Sequence, residues 1–317
     1  MEIKDYKSGD EVAILELFQL SFGRQLSLDF WKWRFLSNPV KKLMIKLMWD
    51  KDKLVGHYAV SPVTLSIGQE NILSALSMTT MTHPEYAGRG IFKDLAEALY
   101  NQEANTSNLK AVWGFPNANS HYGFIKNLKW KNLEQIPTFT LDCAKLKSID
   151  FSSIKVVGEF GNEHVVSQIK SYSSDSIKVN KSLEYLNWRY LQNPVNKYDI
   201  FEVTLGSETY FAVAKVFSSF IDKNKYEVDL LELSFPADHD LLLQLLNAIK
   251  VYYASNNICR INLWLSLHDD KHILLEKIGF ANMLPITYSG IRILDDKLES
   301  LATAANWSYS MGDSDVY

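Results

Sequence analysis

Gly88 and Gly90 stand one residue apart, between an alternating apolar run that ends at Thr82 and an amphipathic stretch that begins at Ile91. Glycines at a helix start let backbone N–H groups turn toward one point, where the helix dipole adds positive potential. Such a loop is a ready site for a phosphate group. The residues that would surround the anion are Met81, Thr82, His83, Tyr86, Ala87, Gly88, Arg89, Gly90, Ile91 and Phe92. A Walker loop would need Gly-Lys-Ser/Thr after the glycines, and Gly90-Ile91-Phe92 does not supply it. A dinucleotide fingerprint would need a third glycine where Lys93 stands.

The elements that must position this loop are legible from periodicity. Ile72–Thr82 alternates as a strand. Ile91–Ala104 reads as a helix with Phe92, Leu95, Ala96 and Leu99 on one face. Upstream, Glu2–Tyr6 reads as a strand and Asp10 as the N-cap of a helix carrying Val12, Leu15, Leu17 and Phe18. A second helix starts near Ser27 and stops at Asn38-Pro39. Met44–Trp49, Leu54–Ser61 and Val63–Ile67 read as strands of a meander. Downstream come a strand at Leu109–Phe115, a polar cluster at Pro116–Ser120 and a helix at Tyr122–Leu128.

Glu85-Tyr86-Ala87-Gly88-Arg89-Gly90 resembles the pyrophosphate loop of the GNAT acyl-CoA N-acyltransferases. Thr82-His83-Pro84-Glu85-Tyr86 and Gly56-His57-Tyr58 are similar to the Eis-like branch of that superfamily. The chain departs from its pattern at Glu85, which stands where Arg or Gln is usual, and at Lys129-Trp130, where Gly-Phe or Gly-Trp is usual. The resemblance implies acetyl-CoA or another acyl-CoA as donor, with Asn117 and Asn119 matching the residue that bonds the pantetheine arm. It implies an oxyanion donor from the backbone at Met81 or its neighbours. It also implies a tyrosine acid for the departing thiolate. The usual place of that tyrosine falls at Phe124 or Ile125, and Tyr122 lies one turn earlier, so Tyr122 is either the acid or a core aromatic. Among titratable groups that could take the amine proton, Glu85 and His57 are nearest, and His83 flanks the loop.

A second copy of the pattern follows. Ser182–Val195 matches Ser27–Val40 without a gap, and the spacing that carries Trp33-Arg34 to Trp188-Arg189 also carries Asn38-Pro39 to Asn193-Pro194. The order of strands and helices repeats around it. The expected class is α/β (α+β): two tandem GNAT-like domains, each a mixed, mostly antiparallel sheet flanked by helices. The boundaries expected are 1–145 for the acyl-CoA-binding domain, 153–297 for a copy without a cofactor site, and 298–317 for a loosely held tail. The second copy has Phe235-Pro236-Ala237-Asp238-His239-Asp240 where the first has its glycine loop, so it lacks the glycines and adds two carboxylates.

The 317 residues carry a formal net charge of −4, which offers no general attraction to nucleic acid or an anionic membrane. Two distant cysteines, Cys143 and Cys259, suggest no disulfide framework, and no apolar run approaches membrane-spanning length, so a cytoplasmic location is expected. His268 and His272 have helical spacing but no third ligand, so no metal site is expected. The expected activity is transfer of acetyl from acetyl-CoA to a primary amine of a small molecule or sugar precursor. A non-catalytic acyl-CoA-binding protein and a tandem aminoacyltransferase remain as alternatives, and the oligomeric state is left open.

Overall fold

The structure is a computed structural model that describes residues 1–170 and 176–317. The chain divides into two compact units, residues 1–134 with 288–304, and residues 135–287 with 305–317.

Unit 1 opens with strand β1 (Glu2–Asp5), then helices α1 (Glu11–Phe22) and α2 (Leu28–Phe35). Ser27 caps α2 by accepting from the Phe30 N–H at 3.1 Å. Asp10 does not cap α1 in this way; its carboxylate accepts from the Lys7 N–H at 2.8 Å and closes the preceding turn instead. Strands β2 (Met44–Asp50), β3 (Lys53–Ile67) and β4 (Glu70–Thr82) form the antiparallel meander. The two strands expected at 54–61 and 63–67 are one, running through Pro62. The β2 ladder stops at the Met44–Val60 pair, so it makes no demand on the missing N–H of Pro62. Helix α3 (Ile91–Thr106), strand β5 (Ala111–Gly114) and helix α4 (Ala118–Asn127) follow. Strand β6 (Lys131–Asp142) comes next, a strand that the sequence pattern does not predict.

Unit 2 holds β7 (Lys155–Val157), α5 (Asn162–Lys170), β8 (Ile177–Val179), α6 (Leu183–Leu186, with a π turn to Leu191), β9 (Asp199–Leu205), β10 (Glu208–Ser218) and β11 (Tyr226–Leu233). It continues with α7 (His239–Tyr252), β12 (Ile258–Leu263), α8 (Lys271–Ile278) and the first half of β13 (Ala281–Ile293).

Both units have the same order. In unit 1, β1, β2, β3 and β4 pair antiparallel and β5 joins β4 in parallel. In unit 2, β7, β9, β10 and β11 pair antiparallel and β12 joins β11 in parallel. The next strand of each unit comes from the other half of the sequence. Gly290–Ile293 of β13 pairs antiparallel with β5, and Phe139–Asp142 of β6 pairs antiparallel with β12. The strands within each unit are thus mixed and mostly antiparallel in pairing, with helices on their faces. In unit 1, Leu95, Leu99, Tyr100, Phe124 and Trp130 pack on one face of the sheet, and Ile14, Leu17, Trp31 and Phe35 on the other.

The tail is not loose. Trp307, Tyr309 and Met311 are buried, and Arg189 donates to the carbonyl oxygens of Gly312, Ser314 and Tyr317 at 3.1, 3.2 and 2.7 Å. Charge pairing holds its end inside unit 2: Asp313 forms an ion pair with buried Lys181 at 2.8 Å, and Lys181 also pairs with Glu232 at 2.7 Å. Polarity alone was a poor guide to looseness.

Candidate acyl-CoA site

The glycine loop lies where the sequence puts it. Gly88 and Gly90 adopt φ of 76° and 79°, the left-handed region that a side chain would strain, and Gly90 is the N-cap of α3. No side chain caps α3, and no atom lies within 4 Å of the Cβ position at Gly88. A Cβ at Gly90 would meet only Asp94 Oδ2, at 4.0 Å, so the start of α3 is left without a side-chain cap. His83 shapes the approach: its Nδ1 accepts from the Glu85 N–H at 3.2 Å and its own N–H reaches the Val55 carbonyl at 2.9 Å. Tyr86 donates to Asp50 at 2.8 Å, and the Arg89 guanidinium stacks over the Tyr86 ring at 4.6 Å. The Lys53 ammonium pairs with Glu85 at 3.1 Å, and this hydrogen bond holds the Glu85 carboxyl below its usual range. Glu85 is thus an ionised, exposed group tied to the loop.

The helix start can sit so close to the sheet because of Gly56 on β3. A Cβ there would lie 2.3 Å from Ile91 Cγ2 and 3.0 Å from Leu95 Cδ1.

Behind the loop, β4 and β5 part. Their parallel register covers Ser74–Ala111, Ala75–Val112 and Leu76–Trp113, and β4 then runs on to Thr82 without β5. Gly114 makes the last close approach, since a Cβ there would stand 3.2 Å from the Ser77 carbonyl oxygen. On the other side, the β3 ladder skips from the His57–Met81 pair to the Ala59–Met78 pair, leaving Thr79 and Thr80 as a bulge with Thr79 at φ 51°. His57 fastens the bulge by bonding through Nδ1 to the Thr79 carbonyl at 2.8 Å. Full burial holds the His57 ring neutral, with its pKa pushed down to about 4. A neutral ring with no access to solvent is a strut, and it is poorly placed to take a proton from an incoming amine.

Asn117 caps α4, its Oδ1 accepting from the Asn119 and Ser120 N–H groups at 3.0 Å each, and Asn119 is exposed in the first turn. Tyr122 is not a core residue: it is 69 % exposed on α4, while Phe124 is the buried aromatic, packed on Phe92 and Trp130. His121, which no local motif singles out, stacks on Tyr288 at 4.4 Å and bonds to Asn132 at 2.6 Å. Also missed were the bulge at Thr79 and the spacing role of Gly56. Both depend on pairing between strands and carry no local motif.

Among its described residues, unit 2 has no such loop. Asp238 caps α7 with its own carboxylate, accepting from the Leu241 N–H at 2.9 Å, and Phe235 is buried. His268 is exposed and His272 is stacked under Phe139 at 4.5 Å. Among the described residues, no cluster of three or more His, Cys, Asp or Glu could hold a metal ion, and no helix is long and apolar enough to cross a membrane.

Residues 2–132 match the family model of the acetyltransferase (GNAT) domain. Solved structures share the fold along nearly the whole chain. A probable N-acyltransferase of Enterococcus faecalis superposes with a TM-score of 0.71 at 12 % identity, covering 92 % of this chain and 72 % of that one. A GCN5-related N-acetyltransferase of Anabaena variabilis gives 0.70 at 11 %, covering 93 % and 73 %. Eis1 of Mycobacterium abscessus gives 0.60 at 12 %, covering 96 % and 76 %. No curated protein matches the sequence.

Proposed function

We propose that the protein is an acyl-CoA-dependent N-acyltransferase of the GNAT type, which moves acetyl from acetyl-CoA to a primary amine of a small molecule or sugar precursor; the match of residues 2–132 to the acetyltransferase (GNAT) domain model supports this reading. The observation that carries this reading is an uncapped helix start behind two left-handed glycines, beside a strand that has parted from its neighbour. The N–H groups around Gly88–Phe92 would hold the pyrophosphate. The β4 edge from Ser77 to Thr82 would pair with the amide groups of an extended pantetheine arm, as a sheet edge takes up an added strand. The first turn of α4, with Asn117 and Asn119, would flank that arm.

A thioester is already activated, so a neutral amine held in line can attack it directly. The backbone N–H groups from Thr79 to Met81 are the donors to the developing oxyanion. Exposed Tyr122 is the acid that returns a proton to the sulfur. The amine, with a pKa near ~10, must lose a proton first. Since His57 is buried and neutral, that proton leaves through solvent or through exposed Glu85.

Release of free thiol from acetyl-CoA with a panel of primary amines tests the assignment. Tyr122→Phe is expected to lower kcat on the order of tenfold and leave KM for acetyl-CoA nearly unchanged, the pattern of a contact made only in the transition state. The effect is below the usual 10²–10⁴-fold of a general acid because a thiolate leaves readily. No thiol release with any amine would reduce the chain to an acyl-CoA-binding protein.

A further inference from the structure

A line of buried hydroxyls crosses the α3 face of unit 1. The Trp130 indole N–H donates to the Tyr100 hydroxyl at 3.1 Å, the Tyr100 and Tyr58 hydroxyls are 2.6 Å apart, and Tyr58 lies 3.0 Å from Ser77 Oγ. Tyr58 and Tyr100 are buried, and burial pushes the Tyr58 pKa up to about 12 and that of Tyr100 well above its ordinary value, so both stay protonated. The direction of the line is fixed at its closed end. An indole nitrogen can only donate. The Tyr100 oxygen accepts that bond, and its hydrogen has one acceptor among the described residues, Tyr58. Tyr58 must then pass its own hydrogen to Ser77, because a buried hydroxyl hydrogen left unpaired is costly. Ser77 Oγ thereby accepts the last bond of the line, and its own hydrogen is the one left over.

Ser77 is half-buried and sits where β4 and β5 part, against Gly114. Its side chain is on the α3 side of the sheet, the side of the glycine loop, as its bond to Tyr58 requires. Thr82 lies five residue steps further along β4, a span of about 16 Å at about 3.3 Å per residue.

We propose that Ser77 is a catalytic hydrogen-bond donor to the thioester carbonyl of acyl-CoA, with Tyr58 and Tyr100 as positioning residues that aim it. The inference rests on the acyl-CoA reading above and extends it to a side chain outside the backbone donors. The line of hydroxyls ends at an indole within the core, so it has no route to the solvent proton pool. It therefore lends a hydrogen bond and transfers no proton. Successive donors polarise one another, which strengthens the last bond of the line. The carbonyl carries more negative charge as the amine adds, so the bond tightens toward the transition state.

The test needs no natural acceptor. Acetyl-CoA labelled with ¹³C at the carbonyl is bound to wild type, Ser77→Ala, Tyr58→Phe and the double variant. Its carbonyl stretch is read by difference infrared spectroscopy, with affinity taken from calorimetry on the same samples. The expected result is that Ser77→Ala binds within about threefold of wild type, while the stretch moves to higher wavenumber. Thiol release to hydroxylamine, corrected for the uncatalysed rate, should fall on the order of a hundredfold, as for loss of one oxyanion donor. Tyr58→Phe should move the stretch part of the way, and the double variant should match Ser77→Ala alone, because residues acting through one bond are not additive. Ser77→Thr, which keeps a hydroxyl, should recover most of the shift. An unmoved stretch in a Ser77→Ala protein that still binds acetyl-CoA overturns this inference and leaves the acyl-CoA assignment standing. A wild type that binds no acetyl-CoA overturns both.

Discussion

At the residue scale, His57 shows how a group that looks catalytic can be made structural. Its ring is closed off between Phe35 and the Thr79 carbonyl, and burial depresses its pKa from 6.5 to about 4. Between these two values the unfolded chain takes up a proton that the folded chain refuses. The folded state therefore loses stability as pH falls from 6.5 toward 4, by about 3 kcal/mol at the limit, and is unaffected above 6.5. Asp229 in unit 2 acts in the opposite sense, since burial raises its carboxyl to about 7. The informative quantity is thus the difference between wild type and His57→Gln. Urea unfolding at a series of pH values should give a variant that is less stable at pH 7.5 but loses less on acidification. Parallel profiles would mean that His57 titrates freely. The sequence shows that a histidine sits on this strand; its burial depends on α2 and β4, which no local pattern around His57 reports.

At the element scale, the seating of α3 on the sheet decides where its N–H groups point. Gly56 permits it, because a Cβ would meet Ile91 at 2.3 Å, and the beginning of the helix would have to lift. Gly56→Ala is expected to cost on the order of 1–3 kcal/mol, the usual range for overpacking, and to weaken acetyl-CoA binding severalfold. Adding Ile91→Ala should restore part of both, measured by urea unfolding and calorimetry. A Gly56→Ala protein with unchanged stability and affinity would show that the helix start has slack. The loop itself was legible because two glycines, a strand period and a helix period lie within one short stretch of chain. The hydroxyl line from Trp130 to Ser77 was not, since its four members come from two strands, a helix and the residues after α4. Only the packing of α3 against β3 and β4 brings them into one row.

At the scale of the whole molecule, the repeated Trp-Arg segment announced two copies of one fold, and the two units do share a strand order. What the repeat could not announce is that Gly290–Ile293 pairs with β5 of unit 1 and Phe139–Asp142 with β12 of unit 2. The spacing of a repeat is blind to which partner a strand chooses. The copies differ where an anion would sit: Gly90 leaves the start of α3 uncapped, whereas Asp238 closes the start of α7 with its own carboxylate. One chain should therefore bind one acyl-CoA, in unit 1. Isothermal titration of acetyl-CoA into wild type and Gly90→Val tests this most directly. With φ at 79°, Gly90 cannot accept a β-branched side chain without strain, and that side chain would stand in front of the α3 N–H groups. The expected result is one site per chain in wild type and none in a variant that stays folded, with a stability loss of about 0.5–3 kcal/mol. Two sites in wild type, or binding retained by the folded variant, would contradict the assignment of acyl-CoA to this loop.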